Sequence, residues 1–308
     1  MGRAAGASLR PLSSNNLLTW KQTHMRRDRV AEDIYTFTSD LYAKVTAGVI
    51  LTPEGTIVID TLPFPSETRE MLAFVEQQGT GTVRYVINTH YHSDHTNGTF
   101  LFPDADVIAH RRCRETLIES GEQRLAEARK QTPGLGEVTV RVPNITFERD
   151  MYVHLGERSL FLTPLPGHTG DCIGVFIDGD KILFAGDAML PVPHVAWGDI
   201  ETSVRSLQTI RALKPDTVIQ GHGQLLLRGE LAIEIESSLK YLNCIKEKVQ
   251  QLLHKGASEA DVLGIDIEAC GKSRVPLDGL VQQLHRHNLL ALYDRFVGEQ
   301  EPREERVV

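Results

Sequence analysis

Between Thr89 and Gly98 the chain reads Thr-His-Tyr-His-Ser-Asp-His-Thr-Asn-Gly, directly after the apolar run Val83–Asn88. Four side chains able to bind a metal, His90, His92, Asp94 and His95, fall within six residues. The apolar run reads as a buried strand. In an extended segment side chains alternate faces, so His90 and His92 are expected on one side and Tyr91 on the other. Asp94 and His95 come after the strand, where the chain can turn them toward a second ion. A lone His-x-His is an ordinary surface event. Three imidazoles and a carboxylate crowded at the end of a core strand bring no structural gain, and metal binding explains them. The fold is thereby constrained, because two ions need more ligands than one segment holds and other strand ends must converge on this one.

Three later segments qualify. His168 lies in Pro166-Gly167-His168-Thr169-Gly170-Asp171, Asp187 follows Gly186, and His222 sits between Gly221 and Gly223. Each comes just past a strand-like run, beside glycines that permit tight turns. Converging strand ends are a common place for sites built on sheets.

The pattern around them mixes strands and helices. Strands are expected at residues 33–38, 43–51, 56–60, 83–88 and 106–109, and again at 145–148, 152–155, 159–165, 172–177, 181–184 and 216–220. Helices are expected at 66–78, 111–130 and 203–213. Two rounds of strand-strand-helix-strand predict an α/β fold, a four-layer αββα sandwich. After Gly223 the character turns helical. Leu231, Ile235, Leu239, Leu242, Ile245, Val249 and Leu252 form one long stripe that Gly256 is placed to end. Ser258 with Asp261 resembles a capping box, and Pro276 fits the first turn of a further helix. The expected division is an irregular, basic N-terminal arm (1–29), the sandwich (30–228), a C-terminal helical extension (229–300) and a frayed tail (301–308).

The order His-x-His-x-Asp-His, Gly-His, Gly-Asp, Gly-His resembles the metallo-β-lactamase superfamily over roughly residues 30–225. The resemblance implies that His90, His92 and His168 hold one metal, that Asp94, His95 and His222 hold a second, and that Asp187 bridges them. Asp60, ending the run Thr56–Asp60, matches a strand-end aspartate that supports the ligand loop. The implied cofactor is a pair of divalent ions. Nitrogen and oxygen donors without thiolate suit zinc, and iron or manganese also accept them. The implied chemistry is attack by a metal-bridging hydroxide on an ester-like bond of a small molecule: thioester, lactone, β-lactam or phosphodiester. Asp94 would orient the nucleophile.

Departures narrow the class. Lactamases of the cysteine type carry Cys at the position of Asp187, whereas a carboxylate there resembles glyoxalase II, lactonases and phosphodiesterases. Flavodiiron proteins carry Glu at the position of His92. An iron persulfide dioxygenase, using a subset of the same ligands, is the rival enzyme reading, and a metal-binding scaffold without turnover is the non-enzyme one. A net charge of −8 argues against a ribonuclease role and against nucleic-acid partners. No apolar run reaches the roughly 20 residues needed to span a bilayer. The four cysteines show no paired spacing, which makes the cytoplasm the expected location. A homodimer is expected from base rates alone.

His194 and Trp197, in the proline-rich loop after Asp187, are candidate substrate contacts. His24, His110, His154, His254, His285 and His287 fit no ligand spacing and read as solvated or helix-surface groups. Asp199 reads as a helix cap.

Overall fold

The computed structural model describes residues 25–300. The tail, His24 and the expected arm up to residue 24 lie outside the described residues. Within the remainder of that arm the chain is regular: β1 (Arg26–Ala31) pairs antiparallel with β2 (Ile34–Thr38).

The first sheet continues through β3 (Thr46–Thr52), β4 (Gly55–Ile59), β5 (Val83–Ile87), β6 (Asp106–His110) and β7 (Ile145–Phe147), in spatial order β1 to β7. Pairing is antiparallel as far as β4 and parallel from β4 to β7. The switch occurs where α1 (Pro65–Gln78) returns the chain from β4 to β5. Pro65 in its first turn and Gly79 in the left-handed region just past its end mark the two boundaries.

The second sheet holds β8 (Met151–Leu155), β9 (Arg158–Pro164), β10 (Ile173–Ile177), β11 (Ile182–Gly186), β12 (Thr217–Gln220) and β13 (Leu226–Leu227). It runs β13-β12-β11-β10-β9-β8, with only the β11–β12 pair parallel.

The sheets stack face to face on one apolar layer. Ile50, Ile57, Ile59, Ile87 and Ile108 from the first meet Leu160, Leu162, Val175, Ile182 and Phe184 from the second. Gly48 shows how close the approach is, since a Cβ there would lie 2.3 Å from the Phe184 ring. On the outer face of the first sheet, Met71, Phe74 and Val75 of α1 cover Val49, Val58, Val86 and Val107. A single turn, α2 (Ser93–Thr96), follows β5. After β6 come α3 (Arg111–Thr116), a π-helical turn over Leu117–Gly121, and α4 (Glu122–Gln131).

The outer face of the second sheet carries the remaining helices. These are α5 (Ile200–Leu213), α6 (Arg228–His254), α7 (Glu259–Val262) and α8 (Val281–Gln300). Asp199 caps α5 by accepting from the Thr202 N–H, and Ser258 with Asp261 forms the capping box of α7. Leu231, Ile235, Leu242, Ile245 and Val249 of α6 are buried in one core with Leu183 and Val218 of the sheet and Leu289 and Leu292 of α8. This is the expected αββα sandwich with C-terminal helices.

Further sequence expectations change. The strand expected from residue 43 begins at Thr46, because Ala43 and Lys44 adopt positive φ of 49° and 53°. Pro276 stands at an extended ψ of 153° ahead of a short turn, and α8 starts at Val281. His110 and His285 are buried rather than solvated. His110 caps α3 by accepting from the Arg112 N–H, and His285 lies between the Tyr241 hydroxyl and the Ile265 carbonyl.

Candidate metal centre

Four strands deliver the seven candidate ligands just past their C-terminal ends: β5 the His90–His95 segment, β9 His168, β11 Asp187 and β12 His222. Strand alternation does not aim His90 and His92, because β5 stops at Ile87 and bends carry the chain through residues 89–91. Their rings nevertheless meet, centroids 4.7 Å apart. One turn of α2 then swings Asp94 and His95 to the neighbouring position. Potential ligand atoms of His90, His92, His168 and Asp187 all lie within 4.8 Å of one another, and those of Asp94, His95 and His222 do likewise. Asp187 touches both groups. Its Oδ2 is 3.3 Å from His168 Nε2 and 3.5 Å from His222 Nε2, and its Oδ1 is 3.3 Å from His95 Nε2.

Surrounding hydrogen bonds aim the rings. His95 Nδ1 meets Asp60 Oδ2 at 2.8 Å, His168 Nδ1 meets the His194 carbonyl at 2.8 Å, and His222 Nδ1 meets the Ala43 carbonyl at 3.0 Å. Each contact puts a proton on Nδ1 and turns Nε2 inward. Asp60 also accepts from the Thr89 backbone N–H and hydroxyl, at 2.8 and 2.7 Å. Its φ of 57° is one that Asp tolerates better than most residues. The irregular start of β3 serves the same end. Gly223 N–H donates to the Lys44 carbonyl and Thr46 N–H to the Gly221 carbonyl, so residues 43–46 cradle His222 from the opposite sheet. Gly221 itself has no room for a side chain, since a Cβ there would lie 1.9 Å from Asp187 Oδ1.

The charge pattern follows. Burial and the neighbouring His168 push His92 down to about 3, and burial also holds His90 well below the usual imidazole range. Burial works against charge on His95 and His222, yet the nearby carboxylates, Asp187 foremost, hold His95 well above that range and bring His222 to about 10. Burial opposes the Asp187 carboxylate too, and His222, His95 and His168 overcome it, keeping its pKa low.

A cation fits these donors. His90 Nε2 and Asp187 Oδ1 are buried without a hydrogen-bonding partner. His168 Nε2 and His92 Nδ1 face each other at 2.9 Å, as do the Nε2 atoms of His95 and His222 at 3.4 Å. A cation among them would take up these inward-facing nitrogens, and buried polar atoms left unpaired, as His90 Nε2 is, are rare.

Above the centre lies a cavity of about 660 Å³, lined by His92, Asp94, His168, Asp187 and His222 together with both substrate-loop candidates. Trp197 is 55% exposed, its ring 4.8 Å from that of His92. His194 is buried with Nε2 unpartnered. Tyr42, Tyr91, Arg124, Leu277, Leu280, Leu284 and His287 also line it, of which Arg124 falls in a segment, 111–136, and Leu280 and Leu284 on a helix, that the sequence places around the site. Tyr91 lines the cavity because the segment bends instead of alternating. His287 lies beside His194, ring centroids 5.8 Å apart, so α8 walls the site. The apolar positions Leu280 and Leu284 were visible signals for that wall, while the partner they would face was not.

Known proteins resemble this chain in sequence and in fold. The family model described as "Metallo-beta-lactamase superfamily" matches residues 43–222. A hydroxyacylglutathione hydrolase of Methylococcus capsulatus is 27% identical over 177 residues, 56% of this chain and 61% of the relative, so the chain spans less than two thirds of that protein's length. Among solved structures, a metallo-beta-lactamase from Pontibacter korlensis superposes with a TM-score of 0.58 at 21% identity, covering 70% of this chain and 98% of that one. A stereoselective inverting sec-alkylsulfatase from Pseudomonas sp. gives a TM-score of 0.71 at 16% identity, covering 89% of this chain and 50% of that one. With its family match spanning more than half of its length, the chain belongs to the metallo-beta-lactamase superfamily.

Proposed function

We propose that this protein is a binuclear metal-dependent hydrolase of small molecules that cleaves an ester-like bond: thioester, lactone, β-lactam or phosphodiester. The carrying observation is the pair of donor groups joined by Asp187, with His90 Nε2 and Asp187 Oδ1 buried and unpartnered between them. His90, His92 and His168 would hold one ion, Asp94, His95 and His222 the other, and Asp187 both. Zinc matches the nitrogen and oxygen donors, as do iron and manganese. When bound, such a pair supplies a hydroxide nucleophile near neutral pH and polarises the group under attack.

The protein's own groups complete the reading. Asp94 is half-buried at the cavity floor, its Oδ2 3.4 Å from His222 Nε2, where a carboxylate orients an attacking water. Tyr42 lines the same floor. Burial, with Asp94 and Asp187 nearby, raises its hydroxyl pKa, so the phenol stays neutral and keeps a proton to offer a substrate. His194 and Trp197 form the wall that sorts substrates. The first relative's name, hydroxyacylglutathione hydrolase, supports a hydrolase of this type.

Metal analysis joined to a panel of thioester, lactone, β-lactam and phosphodiester substrates tests the proposal. The expected result is about two divalent ions per chain, turnover of more than one class, and loss of turnover with chelator. One iron per chain with oxygen uptake would replace it with the dioxygenase reading. Full metal content with no turnover would leave a binding scaffold.

A further inference from the structure

Among the cavity-lining residues two are arginines, and only one has its charge answered. Arg141 spends its guanidinium on the carbonyls of Phe102, Pro103 and Ala105. Arg124, on the exposed side of α4 at the cavity's edge, makes no ion pair or hydrogen bond among the described residues. Its guanidinium carbon lies 4.7 Å from the centroid of the Tyr91 ring. The Tyr91 ring is in turn 4.6 Å from that of His92, so the cation sits no farther from the centre's first imidazoles than these two steps allow. The platform is anchored, since Tyr91 N–H donates to Asp171 Oδ2 at 2.9 Å. On the helical side, the π-helical turn at Leu117–Gly121 precedes Arg124 and lines the same cavity with Leu117, Ser120 and Gly121.

A guanidinium resting on an aromatic ring is held in place by its face, while its N–H edge stays free for a planar oxyanion. Leu117 and Val140 line the same cavity, beside the polar Ser120 and Asn97. One unanswered positive charge balances one negative charge.

We propose that Arg124 on Tyr91 forms an anion subsite. The substrate then carries an anionic group such as a carboxylate, set apart from the bond attacked at the centre. The identity of that bond rests on the hydrolase reading, whereas the subsite itself does not.

Two measurements on the metal-loaded protein separate these claims. The first is calorimetric binding of mercaptobutanoate and of its neutral amide, two thiols that anchor at the ions alike and differ only at the far end. The native chain should bind the acid about tenfold more tightly, the scale of one charge-assisted hydrogen bond. Arg124→Gln should bring the two near parity, Arg124→Lys should keep part of the preference, and added salt should shrink it. The second compares kcat/KM for glutaryl and valeryl thioesters of N-acetylcysteamine, where the ratio should follow the same order. Equal affinity for acid and amide in the native chain, or a preference untouched by Arg124→Gln, overturns the subsite. A preference lost in Arg124→Gln, alongside hydrolysis of neither thioester nor any other ester-like class, overturns the hydrolase reading and leaves the subsite standing.

Discussion

Asp60 never faces the cavity, yet three hydrogen bonds converge on it: two from Thr89 and one with His95 Nδ1. Asp60→Asn keeps the shape but puts an amide NH₂ where Oδ2 met His95. The imidazole must then accept at Nδ1 and carry its proton on Nε2, which removes a lone pair from the second donor group. Metal affinity at that position should fall by about 10–100-fold, read by competition with a chromogenic chelator, while the other position is largely spared. Unchanged affinity at both would show that Asp60 merely packs. Gly221→Ala is a steric counterpart. Its methyl would collide with Asp187 Oδ1, so metal content should drop with every ligand still in the sequence. The identity of the seven clustered residues was legible because spacing and strand ends placed them. The support from Ala43 and Lys44 was not, because it consists of backbone carbonyls, which carry no side-chain signature.

At the scale of elements, α8 and the loop after Asp187 are clamped together by one side chain. Asn288 accepts from the Val195 N–H at 2.8 Å and donates to the Pro193 carbonyl at 2.7 Å and to the Tyr241 hydroxyl at 3.0 Å, all in the buried interior. Asn288→Ala strands these partners and should cost about 1–3 kcal/mol in chemical denaturation. It should also change the ranking of substrates, since His194 and Trp197 ride on the freed loop. Equal scaling of all substrates would detach the loop from specificity. The long stripe of α6 was readable because its burial repeats with the helical period. β1 was not, since Arg26-Arg27-Asp28-Arg29 has no apolar alternation and forms a strand through pairing with β2. The start of α8 was misplaced because Pro276 suits a first turn equally well as the extended residue before one. In neither case does local sequence decide; the tertiary partner does.

For the whole molecule, the large cores lie between the sheets and beneath the outer helices, not at the centre. Stripping the ions should therefore leave a folded chain that melts cooperatively at a lower temperature. Binding that stabilises by about 4 kcal/mol, as at a thousandfold excess over Kd, corresponds to a shift on the order of 10 °C for a chain of this size. Identical scanning-calorimetry transitions with and without chelator would argue against tight loading. No helix among the described residues is long and apolar enough to cross a membrane.

Each donor group is divided between the two sheets. His90, His92, Asp94 and His95 come from the first, and His168, Asp187 and His222 from the second. Neither half carries a full set, so a loaded centre would act as a latch across the seam. Breathing that widened the seam would stretch ligand distances before it disturbed either sheet, and a chain whose halves had docked out of register could not load. Acquisition of metal would then serve as a proofreading step, granting activity only to molecules whose two halves have closed correctly.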